Sequence, residues 1–97
     1  MTFQIKALDC FLEQVKGLDE KSRGIIRNKI ELIKSDPFHF KRIHSGKFRR
    51  VFRVRLSLGG KETRLIYAVL EPNIILVCIL ERKNDYGGLK KYLAKIR

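Results

Sequence analysis

Apolar residues change their spacing twice along this chain. Leu8, Phe11, Leu12, Val15 and Leu18 recur at intervals of three and four, which predicts one apolar stripe on a helix. Phe3 to Ile5 precede it as a short first strand. Gly17 is the expected helix stop and Asp19 the N-cap of a second helix. That helix turns Ile26, Ile30 and Ile33 inward, with Ile25 and Leu32 beside them, and leaves Lys21, Arg23, Arg27, Glu31 and Lys34 mostly solvated. It ends at Asp36-Pro37, because proline disfavours helix in the residue before it. The short link between the two predicts an antiparallel helix hairpin. Phe38 to Lys47 then reads as a basic connection.

From Phe52 the period falls to two. Phe52, Val54, Leu56 and Leu58 alternate with Arg53, Arg55 and Ser57. Gly59-Gly60 signals a hairpin, a third strand follows at about Glu62 to Leu70, and Glu71-Pro72-Asn73 makes another turn. Ile74 to Leu80 is an unbroken apolar run, as expected of a strand covered on both faces. Asn84 or Asp85 caps a last helix with the stripe Leu89, Tyr92, Leu93 and Ile96, and Gly87 and Gly88 weaken its first turn. The order β, α, α, β, β, β, α predicts an α+β fold. An antiparallel sheet carries the N-terminal helix hairpin on one face, a short C-terminal helix follows, and the other face is less covered.

Ninety-seven residues predict a single domain over 1–97. Hydrophobic content of 44% with 33% charged residues describes a folded chain. No apolar run reaches the roughly 18 residues of a membrane span, and the first ten residues, carrying Lys6 and Asp9, do not resemble a secretory signal. Cys10 and Cys78 lie far apart without metal-like spacing and are read as reduced, buried thiols of a cytoplasmic protein. The formal net charge is +12, and its distribution says more than its size. Residues 1–36 balance to +1, residues 65–97 to +3, and residues 37–64 hold nine Lys/Arg against one acid, a balance of +8. Clustering of this kind attracts polyanions, whereas solubility alone does not require it.

With Phe52, Val54 and Leu56 facing the helices, Arg53 and Arg55 face the open side. On the next strand Leu65, Tyr67 and Val69 face the core, so Arg64 joins the two arginines if the hairpin register permits. Arg82 and Lys83 follow the last strand. Guanidinium groups gathered on one face repel one another, and phosphate, bound in pairs of oxygens by the planar fork, relieves that repulsion. A solvated face with independent arginines is the plain alternative. Lys47, Arg49, Arg50 and Lys83 are further candidates for contacts to RNA. Tyr67 and Tyr92 sit at packing positions. Tyr86, beside Gly87-Gly88, is placed either to stack on a base or to staple the helix. His39 and His44 lie in the basic connection, as loop histidines or as proton-transfer groups. There is no glycine-rich phosphate loop, HExxH or CxxC, and no paired carboxylates for metal-assisted hydrolysis in the basic region.

Phe52-Arg53-Val54-Arg55-Leu56, Arg64-Leu65-Ile66-Tyr67, the apolar strand and Glu81-Arg82-Lys83-Asn84-Asp85-Tyr86 resemble the sheet half of RelE-type toxins in the RelE/ParE superfamily. The two preceding helices and the Asp36-Pro37 break fit the same order, and recognisable motifs span residues 48–92. The resemblance implies a RelE-like fold and a ribosome-dependent endoribonuclease that cleaves mRNA, the toxin of a type II toxin–antitoxin pair held by a cognate antitoxin in a hetero-oligomer. It places Arg53, Arg55, Arg64, Arg82 and Tyr86 in the catalytic site, with no metal or organic cofactor. Some members carry lysine where this chain has Arg53 and Arg55. Arginine, with a pKa above about 12, is a poor base, so Lys83, Lys47, a histidine or the ribosome supplies that function. Two other readings remain: a ParE-type inhibitor of DNA gyrase, and a non-catalytic RNA-binding module on the same scaffold.

Overall fold

Two-residue alternation builds a three-strand meander. The computed structural model describes residues 3–43, 50–81 and 89–94. Within them β3 (Val51–Leu58), β4 (Lys61–Leu70) and β5 (Asn73–Glu81) pair antiparallel. Gly59 and Gly60 close the first hairpin with φ of 57° and 80°, the left-handed conformation that a two-residue turn of the right twist demands at both positions. Leu58 then faces Lys61, and the rest of the β3–β4 register follows from that pair. A β-bulge between Ile66 and Tyr67 shifts the β4–β5 pairing by one residue.

Among the described residues the sheet has five strands in the order β1-β5-β4-β3-β2, with β1 at Gln4–Ala7 and β2 at Lys41–Ile43. Two expectations change here. The sheet is mixed, because β1 runs parallel to β5. The helices that follow β1 carry the chain away, so this pairing is not bound to the antiparallel sense of a hairpin. Part of the basic connection is also a strand: β2 pairs antiparallel with β3 through Lys41–Arg53, Arg42–Phe52 and Ile43–Val51. Three rungs are too short for a period to show in the sequence.

Helix α1 (Asp9–Lys16) and helix α2 (Glu20–Ser35) form the expected hairpin. Gly17 is the C-cap of α1, and the Asp19 carboxylate accepts the Ser22 amide at 2.9 Å as N-cap of α2. Hydrogen bonds from the Ser22 side chain and amide hold the Asp19 carboxyl below its ordinary pKa. Beyond the end of β1, α1 continues along the exposed edge of β5. The Leu8 amide donates to the Leu76 carbonyl, and the Cys10 thiol donates to that of Val77. Gln14 meets both backbone groups of Ile79, donating at 2.9 Å and accepting at 2.7 Å. Its side-chain amide thus acts as one residue of a missing strand and blunts the sheet edge. Leu12, on the predicted stripe, is 53% exposed as a result, while Phe11 turns into the core.

The main core lies between helices and sheet. Phe11, Ile26 and Ile33 pack on Phe52, Val54, Leu56, Leu65, Tyr67, Val69, Ile74 and Leu76, the sheet residues expected to face the helices among them. Leu32 stays 52% exposed. The opposite face carries a smaller apolar cluster of Val51, Ile66, Ala68, Val77, Cys78 and Leu80, covered by Leu93 of α3 (Leu89–Leu93). Burial pushes the Cys78 thiol up to about 12. No described helix is long and apolar enough to cross a membrane.

Tyr67 is fully buried, and its hydroxyl donates to the Pro37 carbonyl at 2.6 Å. Burial, with the negative charge of Asp36, raises its phenol above the ordinary value of 10.0. A folded-state pKa raised in this way gives stability that is complete below about pH 10 and is lost as pH rises towards the folded value. Urea denaturation is expected to show that alkaline fall in wild type and a shallower one in Tyr67→Phe. The variant is expected to cost about 1–3 kcal/mol at neutral pH, because the Pro37 carbonyl loses its donor. An alkaline limb identical in both proteins would remove Tyr67 from the linkage.

Candidate functional site

Register decides which cations meet. Arg55 lies directly opposite Arg64 across the β3–β4 ladder, and Arg53 lies two residues from Arg55 on the same face of β3. On the other side of Arg53, β2 places Lys41 directly opposite it. Four cations from three adjacent strands therefore share one face. Their neighbours in the ladder, Ile66 beside Arg53 and Leu80 beside Arg64, belong to the apolar cluster under α3. The face away from the helices thus has an apolar part beneath α3 and a cationic part alongside it. It is less bare than the sequence suggests.

Arg64 is the most enclosed of the four at 9% exposure, and it has an interaction partner of its own. Arg53 is half-buried, and Arg55 and Lys41 are exposed. The ion pairs among the described residues are Lys34–Glu31, Arg50–Glu71 and Lys61–Glu81. Lys41, Arg53 and Arg55 take part in none of them. Among the described residues no carboxylate forms an ion pair with Lys41, Arg53 or Arg55, and like charges side by side on one face favour an anion there. Beside it a groove of about 340 Å³ is lined by Phe40, Lys41, Arg53 and Arg55.

The three arginines expected on the open side, Arg53, Arg55 and Arg64, are brought together. Arg50 is not: at the other end of β3 it pairs with Glu71 and lies over the Phe38 ring, 5.4 Å from its centroid. Lys47, Arg49, Arg82, Lys83, Tyr86 and His44 lie outside the described residues. Tyr67 is core, and Tyr92 packs against the cluster under α3, as their positions predicted. His39 is exposed and meets the Phe40 ring edge-on, with centroids 5.4 Å apart. Sequence reasoning missed Lys41 and Phe40. Their only signal was the charge density of the connection, since their placement depends on the unforeseen β2 ladder. Among the described residues no group of three or more His, Cys, Asp or Glu side chains is set to hold a metal ion.

No protein-family model matches the chain, and no curated protein matches it by sequence. Solved structures do. The E. coli toxin RelE, in its free state and with two arginines replaced by alanine, superposes with a TM-score of 0.74 at 14% identity, covering 100% of both chains. A chain of the intact E. coli RelBE toxin–antitoxin complex superposes with a TM-score of 0.66 at 15% identity, covering 82% of this chain and 95% of that one. The fold is RelE-like.

Like charges directly opposite each other destabilise an antiparallel pair. Arg55→Gln is therefore expected to stabilise the free protein by about 0.2–1 kcal/mol, the scale of one cross-strand pair. It is also expected to shrink the stabilisation that added inorganic phosphate gives the wild type. Paired denaturation curves with and without phosphate check both. A variant less stable than wild type, with an unchanged phosphate response, would show that the pair is not under charge stress.

Proposed function

We propose that this chain is the toxin of a type II toxin–antitoxin pair, a ribosome-dependent endoribonuclease that cleaves mRNA. The observation that carries the reading is the cationic face: Arg55 against Arg64, flanked by Arg53 and Lys41, with Lys41, Arg53 and Arg55 outside every ion pair among the described residues. The RelE-like fold supports the toxin class. The match to a chain of a toxin–antitoxin complex supports an antitoxin partner, which on this reading masks the cationic face.

The reaction is an in-line transfer. The ribose 2′-oxygen attacks the adjacent phosphorus, the bond to the 5′-oxygen breaks, and that oxygen takes a proton. A 2′,3′-cyclic phosphate and a free 5′-hydroxyl result. Charge on the non-bridging oxygens grows toward the transition state, and Arg53, Arg55 and Arg64 answer it as preorganised donors. Arg82 acts at the scissile phosphate or its leaving oxygen, and Tyr86 stacks on a neighbouring base and holds the ribose in line. Lys83, Lys47, a histidine or a ribosomal group takes the 2′-hydroxyl proton, because an arginine cannot. Lys47, Arg49, Arg50 and Lys83 contribute contacts along the RNA, with Arg50 first leaving Glu71.

Primer extension on mRNA in programmed ribosomes tests this. Cleavage is expected only with intact ribosomes, and it is expected to tolerate EDTA at levels that leave the ribosomes intact. Arg82→Ala is expected to remove about 2–4 kcal/mol of transition-state stabilisation, as for loss of one electrostatic donor. Tyr86→Ala is expected to cost about 1–3 kcal/mol, the scale of one stacking contact. Uncut mRNA together with inhibited gyrase would assign the chain to the ParE branch. Ribosome binding without cleavage would make it a non-catalytic RNA-binding module.

A further inference from the structure

The two cysteines of the chain stand beside one peptide carbonyl. Cys10, in the first turn of α1, donates through its thiol to the Val77 carbonyl at 3.2 Å. That carbonyl belongs to the peptide joining Val77 to Cys78. The β-bulge shapes this corner. Ile66 pairs with Cys78 and Tyr67 with Leu76, so Val77 is the extra residue. A regular strand would send Val77 and Cys78 to opposite faces, but both belong to the apolar cluster under α3. Leu8, the N-cap of α1, packs against the same cluster two residues before Cys10. The two thiols, both free, are therefore neighbours at the seam between α1 and β5. Burial raises the Cys78 thiol most, and the nearness of Cys10 raises it further.

As a hydrogen-bond donor alone, cysteine is a poor choice at position 10. A thiol is a weak donor, and a serine hydroxyl would hold the Val77 carbonyl better. What sulfur adds is redox chemistry. Access divides the pair, since Cys10 is half-buried and Cys78 is fully buried. We propose that Cys10 and Cys78 are a peroxide-responsive pair, in which Cys10 is oxidised and Cys78 resolves it to a disulfide. The Cys10 sulfur attacks one oxygen of hydrogen peroxide, the O–O bond breaks, and a sulfenic acid and water result. The Cys78 sulfur then attacks the Cys10 sulfur and the S–O bond breaks. The hydroxide leaves as water with the Cys78 proton. Two thiols lose two electrons and two protons, and the peroxide is reduced to two waters. Burial keeps Cys78 protonated until that step, so it does not compete for the oxidant. The new bond replaces one weak hydrogen bond, while Leu8 and Gln14 keep α1 on the β5 edge. It closes a loop that contains α2 and strands β2 to β4. None of the four cations takes part, so the pair is independent of any RNA target.

The test treats the intact chain with hydrogen peroxide, alkylates it in urea and maps its peptides by mass spectrometry without reductant. Wild type is expected to give an intramolecular disulfide peptide joining Cys10 to Cys78, which dithiothreitol returns to two alkylated thiols. In Cys78→Ala, Cys10 is expected to stop at the sulfenic acid and to be captured by dimedone. In Cys10→Ser, Cys78 is expected to stay a free thiol. Oxidised wild type is expected to melt higher than the reduced form by roughly 10 °C, the scale for cross-linking a long loop in a small domain. The wild-type map decides by itself, whatever Cys78→Ala does to the core. Two free thiols after peroxide, dimers joined through Cys10, or Cys10 over-oxidised in wild type as fast as in Cys78→Ala would each overturn the pair. So would an oxidised chain that melts lower than the reduced one, since the link would then form only by distorting the fold.

Discussion

The β3–β4 register holds two guanidinium groups where they repel each other. Gly59 and Gly60 set that register by closing a two-residue turn that admits only one pairing of the flanking strands. From Leu58–Lys61 the ladder runs to Arg55–Arg64, and a slip of one residue would turn every arginine into the core. The alternation that buries Phe52, Val54 and Leu56 under the helices is the same alternation that gathers Arg53, Arg55 and Arg64 on the other face. Core formation and charge accumulation are thus one event. The stability of the first sustains the cost of the second.

On the cationic face Lys41 and Arg55 are exposed and Arg53 is half-buried, close to the β2 edge of the sheet. Helices α1 and α2 pack on the opposite face, and Leu93 of α3 packs on the apolar cluster around Ile66 and Cys78. At the far edge, Gln14 of α1 stands in for a strand residue on Ile79, so that edge is closed without another strand. Tyr67 links core to site. Its hydroxyl fixes the Pro37 carbonyl, its ring stacks on Phe52 and supports Phe40, and the chain leaving Pro37 is delivered to β3 as β2. A buried phenol thereby positions Phe40 and Lys41, neither of which is part of a long element.

Much of this was legible in the sequence because it rests on local rules. The three- and four-residue spacing of the helices, Asp19 as N-cap, the break at Asp36-Pro37, the Gly59-Gly60 turn and the arginine face all follow from periodicity and turn chemistry. What was not legible depends on pairing between distant segments. The parallel β1–β5 contact and the three-rung β2 carry no periodic signal, and without β2 nothing placed Lys41 opposite Arg53. Leu12 was assigned inward by spacing alone. It turns outward because α1 spends one face on the edge of β5 rather than on a helix partner. Arg82 and Tyr86 rest on family resemblance, a different kind of support from the register that joins Arg53, Arg55 and Arg64.

On the proposed function the cationic face neutralises phosphates. The direct measurement is the salt dependence of binding to an uncleavable single-stranded RNA, as log affinity against log salt from roughly 50 to 200 mM. Each phosphate contact on a single strand contributes about −0.7 to the slope, so the four cations Lys41, Arg53, Arg55 and Arg64 predict a slope of about −3. Removing the Arg55 charge should make it shallower by about 0.7. A slope near zero, or one indifferent to Arg55, would contradict the claim.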